Sequence, residues 1–255
     1  MKLREPAPFV NPADLTPEQA RQREQNMKAA IAAHPGNGPA YDILKQQADP
    51  DSPLKGKACI FLGSSVTYGH ASLGESFVEA LQVIDGLQVY KEALSGTTMV
   101  DEALRGPSFI TRMKTIPADF KADAFICQLS TNDARQGWPM GEIAGSKDKD
   151  SFDTKTTVGA MEYIIAYAMD TWHCPVYFYT GTKFVDPAYR LMVDILYRLQ
   201  KKWGIRIIDL WNEIDLADMK DSTYDLYMFD PIHPTRAGYL LWWTPFIRDG
   251  LIKTL

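Results

Sequence analysis

The sequence predicts an α/β protein: a three-layer α/β/α sandwich around a five-stranded, mostly parallel sheet. Three observations lead there. From Lys57 onward short apolar runs alternate with longer amphipathic segments, the pattern of repeated βαβ units. The segments between runs carry helical spacing, seen in Val158, Met161, Ile165 and Ala168, which suits core contacts. The length of 255 residues and a hydrophobic content of 45% fit one such domain.

Taken in order, residues 1–54 read as an N-terminal extension rich in Pro, Ala, Gln and charge, ahead of a domain spanning 55–255. The extension holds one helix signal. Thr16 is an N-cap, Pro17 occupies the first helical position and Gln19 completes a capping box, so a helix runs from Pro17 to Ala33 and ends at His34-Pro35-Gly36. Its large apolar side chains are few, chiefly Met27 and Ile31, which places it on the surface or against a partner. The expectation is an appendage, either a lid or the arm of a homodimer. Strands follow at 58–62, 87–93, 124–129, 176–180 and 205–209. Helices are expected at 76–84, 100–104 with a continuation to 113, 156–169, 187–202 and 235–247. The stretch 134–154 lacks periodicity and follows a strand end, where open α/β sheets bind ligands, so it is expected to shape a substrate site.

Bulk properties exclude several partners. A net charge of −5, with no basic block, offers no attraction for nucleic acid or an anionic membrane. No segment reaches the ~20 apolar residues that cross a bilayer, and the N-terminus lacks a signal-peptide core, so a cytoplasmic location is expected. Cys59, Cys127 and Cys174 are odd in number and lie in apolar runs, which fits free buried thiols. None has metal-ligand spacing, and neither metal nor cofactor is expected.

The chemistry-bearing residues cluster just after strand ends. Gly63-Ser64-Ser65-Val66-Thr67-Tyr68-Gly69 follows the first strand, where a tight turn lifts Ser65 above the sheet and points its backbone N–H at whatever the serine attacks. Ser95-Gly96-Thr97-Thr98 follows the second, with Gly96 permitting close approach of an N–H to a developing oxyanion. Ser130-Thr131-Asn132-Asp133 follows the third, and Asn132 offers a neutral side-chain donor. Near the C-terminus, Asp230-Pro231-Ile232-His233-Pro234 holds an acid and a base on one short loop, extended at both residues by the prolines that follow them. An Asp230 carboxylate bonded to Nδ1–H of His233 leaves Nε2 outward as a base, so Ser65, His233 and Asp230 supply the set that activates a serine nucleophile. His34 and His173 read as structural. His70, Tyr68, Trp138 and Tyr227 are candidates for a substrate pocket, with aromatic packing beneath loops as the competing reading for the aromatic three.

These four segments, in order and context, resemble the conserved blocks of the SGNH hydrolases, the GDSL-type lipase and esterase superfamily. Gly63-Ser64-Ser65 stands for Gly-Asp-Ser, Gly96 for the second-block glycine, Ser130-Thr131-Asn132-Asp133 for Gly-x-Asn-Asp, and Asp230-Pro231-Ile232-His233 for Asp-x-x-His. The resemblance spans about residues 57–240. It implies a flavodoxin-like fold, Ser65 as nucleophile, His233 as base, Asp230 as its orienter, and an oxyanion hole from the Ser65 and Gly96 N–H groups with the Asn132 amide. Ser64 and Ser130 depart from the family's aspartate and glycine, and Glu92-Ala93-Leu94 lacks the asparagine often found before the second-block glycine. The expected activity is hydrolysis of a small-molecule ester, with a short acyl group such as acetyl on a carbohydrate or other small polar alcohol. Acyl transfer with the same triad is one alternative. A phosphate- or flavin-binding module that uses the Gly63–Gly69 turn as an anion cradle is the other.

Overall fold

The computed structural model describes residues 2–102, 104, 106–214 and 216–255. Five parallel strands form the sheet: β1 (Ala58–Gly63), β2 (Gln88–Ala93), β3 (Ala124–Gln128), β4 (Val176–Tyr179) and β5 (Arg206–Ile208), in spatial order β2-β1-β3-β4-β5. β1, β3 and β4 are buried throughout, because helices cover both faces and leave no polar side to alternate toward. The edge strands β2 and β5 are only partly buried.

The helices are α1 (Pro17–Ala33), α2 (Ser65–Tyr68), α3 (Phe77–Asp85), α4 (Phe109–Met113), α5 (Thr131–Arg135), α6 (Thr157–Trp172), α7 (Pro187–Trp203), α8 (Leu210–Glu213), α9 (Asp221–Tyr227), α10 (Arg236–Gly238) and α11 (Thr244–Ile252). α3 packs against α11, whereas α4 and α7 both pack against α6, giving the two outer layers. Chain order reverses between β1 and β3, so the crevice above their carboxyl ends is the switch point where such sheets bind ligands. Ser65 and Asn132 follow those two strands.

Two helix expectations need correction. The helix placed at 100–113 is confined to Phe109–Met113; Ala103 and Arg105 lie outside the described residues. The N–H groups of Met99 and Val100 are instead taken by the Asp133 carboxylate, each at 2.9 Å, which holds this stretch as a loop. The helix at 235–247 is interrupted by a π turn at Tyr239–Trp243, because Pro245 at the start of α11 has no N–H to offer the preceding turn. His173, read as structural, is the left-handed C-cap of α6 at φ 51°.

The extension is not an appendage. Ile43 and Leu54 are buried in the main core. The Asn37 side chain donates to the carbonyls of Ile31 and Ala71, both at 2.8 Å, and accepts from the Arg236 N–H at 2.9 Å. α1 does stay largely exposed, with Ile31 its one buried side chain, as its thin apolar content requires. No helix among the described residues is long and apolar enough to cross a membrane.

Candidate active site

The turn after β1 is held from several sides. The Gln128 Oε1, at the end of β3, accepts from the Ser64 N–H at 2.9 Å and the Thr67 hydroxyl at 3.0 Å. Thr67 Oγ1 also pairs with the Tyr179 hydroxyl at 2.6 Å, and Tyr239 donates to the Val66 carbonyl at 2.6 Å. These bonds fix the single turn α2, so Ser65 keeps one position at its start. A Cβ at Gly63 would lie 1.7 Å from Thr67 Oγ1, which is why a glycine ends β1.

The Asp-His loop is equally constrained. Met228 and Pro234 form an antiparallel bridge at its base, and the Phe229 N–H donates to the His233 carbonyl at 2.9 Å. Pro231 has no N–H, so Asp230 Oδ1 takes the next two donors, the N–H groups of Ile232 at 2.8 Å and His233 at 2.9 Å. The carboxylate also bonds His233 Nδ1, with Oδ2 at 2.8 Å. Burial pushes the Asp230 carboxyl upward, but the His233 charge and these hydrogen bonds outweigh it and bring it down to about 2. On the other side of the ring, His233 Nε2 lies 2.8 Å from Ser65 Oγ. Serine, imidazole and carboxylate thus form one hydrogen-bonded chain across 165 and more residues of sequence.

Beside this chain lie unused donors. Among the described residues the backbone N–H groups of Ser65 and Gly96 have no hydrogen-bond acceptor. Gly96 adopts φ 84°, a conformation that favours glycine. Asn132 spends one amide hydrogen on the Thr97 carbonyl at 2.9 Å, which orients the group along the Gly96 loop and leaves its second hydrogen available.

The chain belongs to the GDSL-like lipase/acylhydrolase family. Its family model matches residues 61–241, which include all four segments. No curated protein matches the sequence. Among solved structures the fold recurs: a protein from Lactobacillus plantarum is 17% identical, matched over 78% of this chain and 96% of its own at a TM-score of 0.60. A protein described as a GDSL-like lipase from Bacteroides ovatus is 18% identical, over 78% and 99%, at 0.55. The acetyl xylan esterase AlAXEase is 15% identical, over 78% and 99%, at 0.52. At these identities the likeness is one of fold.

Other side chains of this GDSL-like acylhydrolase divide by position. Tyr68 and His70 line a cleft beside the triad, and the His70 ring lies 5.8 Å from that of His233. Partial desolvation in the cleft and the neighbouring His233 charge lower the pKa of His70, favouring its neutral form. Trp138 donates to Gln136, which in turn donates to the Gly96 carbonyl, and Tyr227 packs on Trp242 at 5.9 Å, so both serve packing and loop support. The 134–154 stretch touches the site only at its start, since Lys202 binds the Ala144 and Ser146 carbonyls and ties its later part to α7. His34 packs on Phe229 and accepts from the Gly36 N–H. Cys59 is buried and its thiol is pushed up to about 12, unsuited to nucleophilic work.

Three residues with supporting positions carried no assigned role in the sequence. Gln128 is polar at the end of an otherwise apolar strand, a signal that marks it in retrospect. Asp133 is buried beneath the Gly96 loop. Arg112, also buried, donates to the Gly63 carbonyl at 2.8 Å, the Thr97 hydroxyl at 3.0 Å and the Pro107 carbonyl at 3.2 Å, and pairs with Glu92 at 3.1 Å.

Proposed function

We propose that this acylhydrolase is a serine esterase that cleaves a carboxylic ester through an acyl-enzyme on Ser65. The observation that carries the reading is the continuous hydrogen-bonded chain Ser65–His233–Asp230, with 2.8 Å at both links. In the proposed mechanism His233 Nε2 takes the proton of Ser65 as Oγ attacks the acyl carbon. The carbonyl oxygen becomes an oxyanion within reach of the Ser65 and Gly96 N–H groups and the Asn132 amide. On collapse the bond to the alcohol oxygen breaks, and His233 returns its proton to that oxygen. Water then attacks the acyl-enzyme by the same route, releasing the acid and restoring Ser65.

The acyl group proposed is short, such as acetyl. Behind the nucleophile, between Val66, Leu129, Thr131 and Ile232, the enclosed space is only about 10 Å³, on the scale of one water-sized probe. A long chain has no interior channel there. The phosphate-cradle alternative is disfavoured because α2 is a single turn and its serine is engaged by His233. The test is stoichiometric labelling of Ser65 by a fluorophosphonate, with loss of both labelling and ester hydrolysis in Ser65→Ala. A Ser65→Ala protein that hydrolyses esters normally would overturn the assignment, whereas Ser64→Ala should retain much of its activity.

A further inference from the structure

A cleft beside the triad, of about 800 Å³, has one wall that lies entirely outside the family-matched segment. Val10 and Leu15 come from the chain leading into α1, and Met27 and Ile31 come from α1 itself. The facing wall is Tyr68, Leu73 and Leu94, which remain 45%, 47% and 39% exposed. Exposed Tyr68, Leu73 and Leu94 facing the partly buried Val10, Leu15 and Met27 across one cleft mark a binding surface, and its size suits a ring-containing ligand. The cleft reaches the chemistry at two points: His70 lines it next to His233, and Ser95 lines it next to Gly96.

The lead-in segment is fastened over the site. The Val185 N–H donates to the Arg4 carbonyl at 3.0 Å, the Arg4 guanidinium pairs with Asp225 at 2.5 Å and lies over the Tyr224 ring, and Arg135 of α5 donates to the Ala7 carbonyl. The wall is therefore anchored to elements on the opposite side of the sheet crevice. On its polar edge, Glu24 and Lys28 are paired with each other at 2.6 Å. Arg23, on the same helix, also lines the cleft, but against the apolar walls a polyhydroxy alcohol would leave hydroxyls unpaired, a cost an apolar ring avoids.

We propose that this cleft binds the alcohol portion of the ester, and that the alcohol carries an extended apolar face such as an aromatic ring system. It departs from the small polar alcohol expected from the sequence. The inference rests on the Ser65 esterase reading. It makes the N-terminal wall a specificity determinant for the leaving group, while the acyl group stays short.

The experiment compares kcat/KM for phenyl acetate and 2-naphthyl acetate, whose leaving groups have similar basicity and differ by one fused ring. The full-length protein should prefer the naphthyl ester about tenfold, and Met27→Asp and Leu15→Asp, both at partly exposed positions, should each erase that preference through KM. Labelling of Ser65 by a small alkyl fluorophosphonate, which has no ring to seat in the cleft, should persist in both variants and shows the triad intact. An unchanged naphthyl preference in both variants, with labelling intact, overturns the cleft assignment and leaves the esterase reading standing. Variants that alter discrimination between acetate and octanoate of one alcohol also overturn it, because the wall then holds the acyl chain. If the wild-type protein neither labels nor hydrolyses either ester, the Ser65 reading fails and takes this inference with it.

Discussion

Arg112 Nη2 donates to the carbonyl oxygen of Gly63 at 2.8 Å, and through that bond one buried guanidinium reaches the residue that closes β1 just before the serine turn. The same group holds Thr97, next to Gly96, so it fixes the spacing between the two backbone donors of the proposed oxyanion hole. Lysine keeps the charge but not the planar fork. Arg112→Lys is expected to lower kcat about tenfold or more, since misplacement of reacting groups by an ångström costs up to ~10²-fold, with KM nearly unchanged. Arg112→Met should in addition lose about 1–3 kcal/mol of stability, because the Pro107 carbonyl and the Glu92 carboxylate lose their partner. Steady-state kinetics beside thermal unfolding separates the two effects. An Arg112→Lys enzyme with normal kcat would show that the fork does not position the loops.

Asn132→Ala removes the side-chain donor and leaves the triad intact. A loss of about 10²–10³ in kcat is expected, with little change in KM, as for other single donors to an oxyanion. Asn132 is only partly buried, so thermal unfolding should move little. A fall in KM-dependent terms alone would place Asn132 in substrate binding instead.

The sheet was legible because β1, β3 and β4 are continuous apolar runs, and α1 because Thr16, Pro17 and Gln19 form a capping box, with Thr16 Oγ1 accepting from the Gln19 N–H at 3.2 Å. Ser65, His233 and Asp230 stood out because their types and strand-end positions are informative without coordinates. Arg112 and Asp133 were not legible in the same way. Their work is done through long-range bonds to backbone atoms, and no local pattern reveals which carbonyl or N–H a buried side chain will reach. The N-terminal wall was hidden for a related reason: α1 reads as an ordinary exposed helix until the fold places Met27 opposite Tyr68.

Asp133 gives a pH signature. Burial raises its carboxyl to about 6, against the opposing bonds from Ser130, Val100 and Met99. The folded state therefore holds the proton more tightly than the unfolded chain, whose carboxyl titrates near 3.8. The contribution of this group to stability is present below about pH 4 and declines as pH rises through about 6. Asp230 has the opposite sign: its carboxyl is depressed to about 2, so its contribution is present above about 4 and lost as pH falls toward 2. Across pH 4 to 6, Asp133→Asn should remove a downward component from the slope of urea unfolding midpoints, opposite in sign to the contribution of His70, whose pKa is lowered. An identical slope in the variant would remove Asp133 as its source.

Asn37 links the extension to both halves of the triad. Its amide nitrogen bonds the Ala71 carbonyl, just past the serine turn and His70, and its amide oxygen takes the Arg236 N–H, three residues beyond His233. Both bonds are buried or partly so, and the second amide hydrogen goes to Ile31 at the end of α1. Asn37→Ala leaves the Ala71 carbonyl and the Arg236 N–H without partners, while the Ile31 carbonyl keeps the His34 N–H at 3.2 Å, at about 1–3 kcal/mol for a fully buried group. The expected result is a Tm lower by several degrees together with reduced kcat, because the serine turn and the Asp-His loop lose a common brace. Asn37→Asp keeps the acceptor for Arg236 but loses the donor to Ala71 and Ile31. If the brace acts on the Asp-His loop through Arg236, Asn37→Asp should recover part of the kcat lost in Asn37→Ala while remaining destabilised. Equal kcat in the two variants would place the effect on the Ala71 side, and unchanged kcat in both would reduce Asn37 to a stability residue.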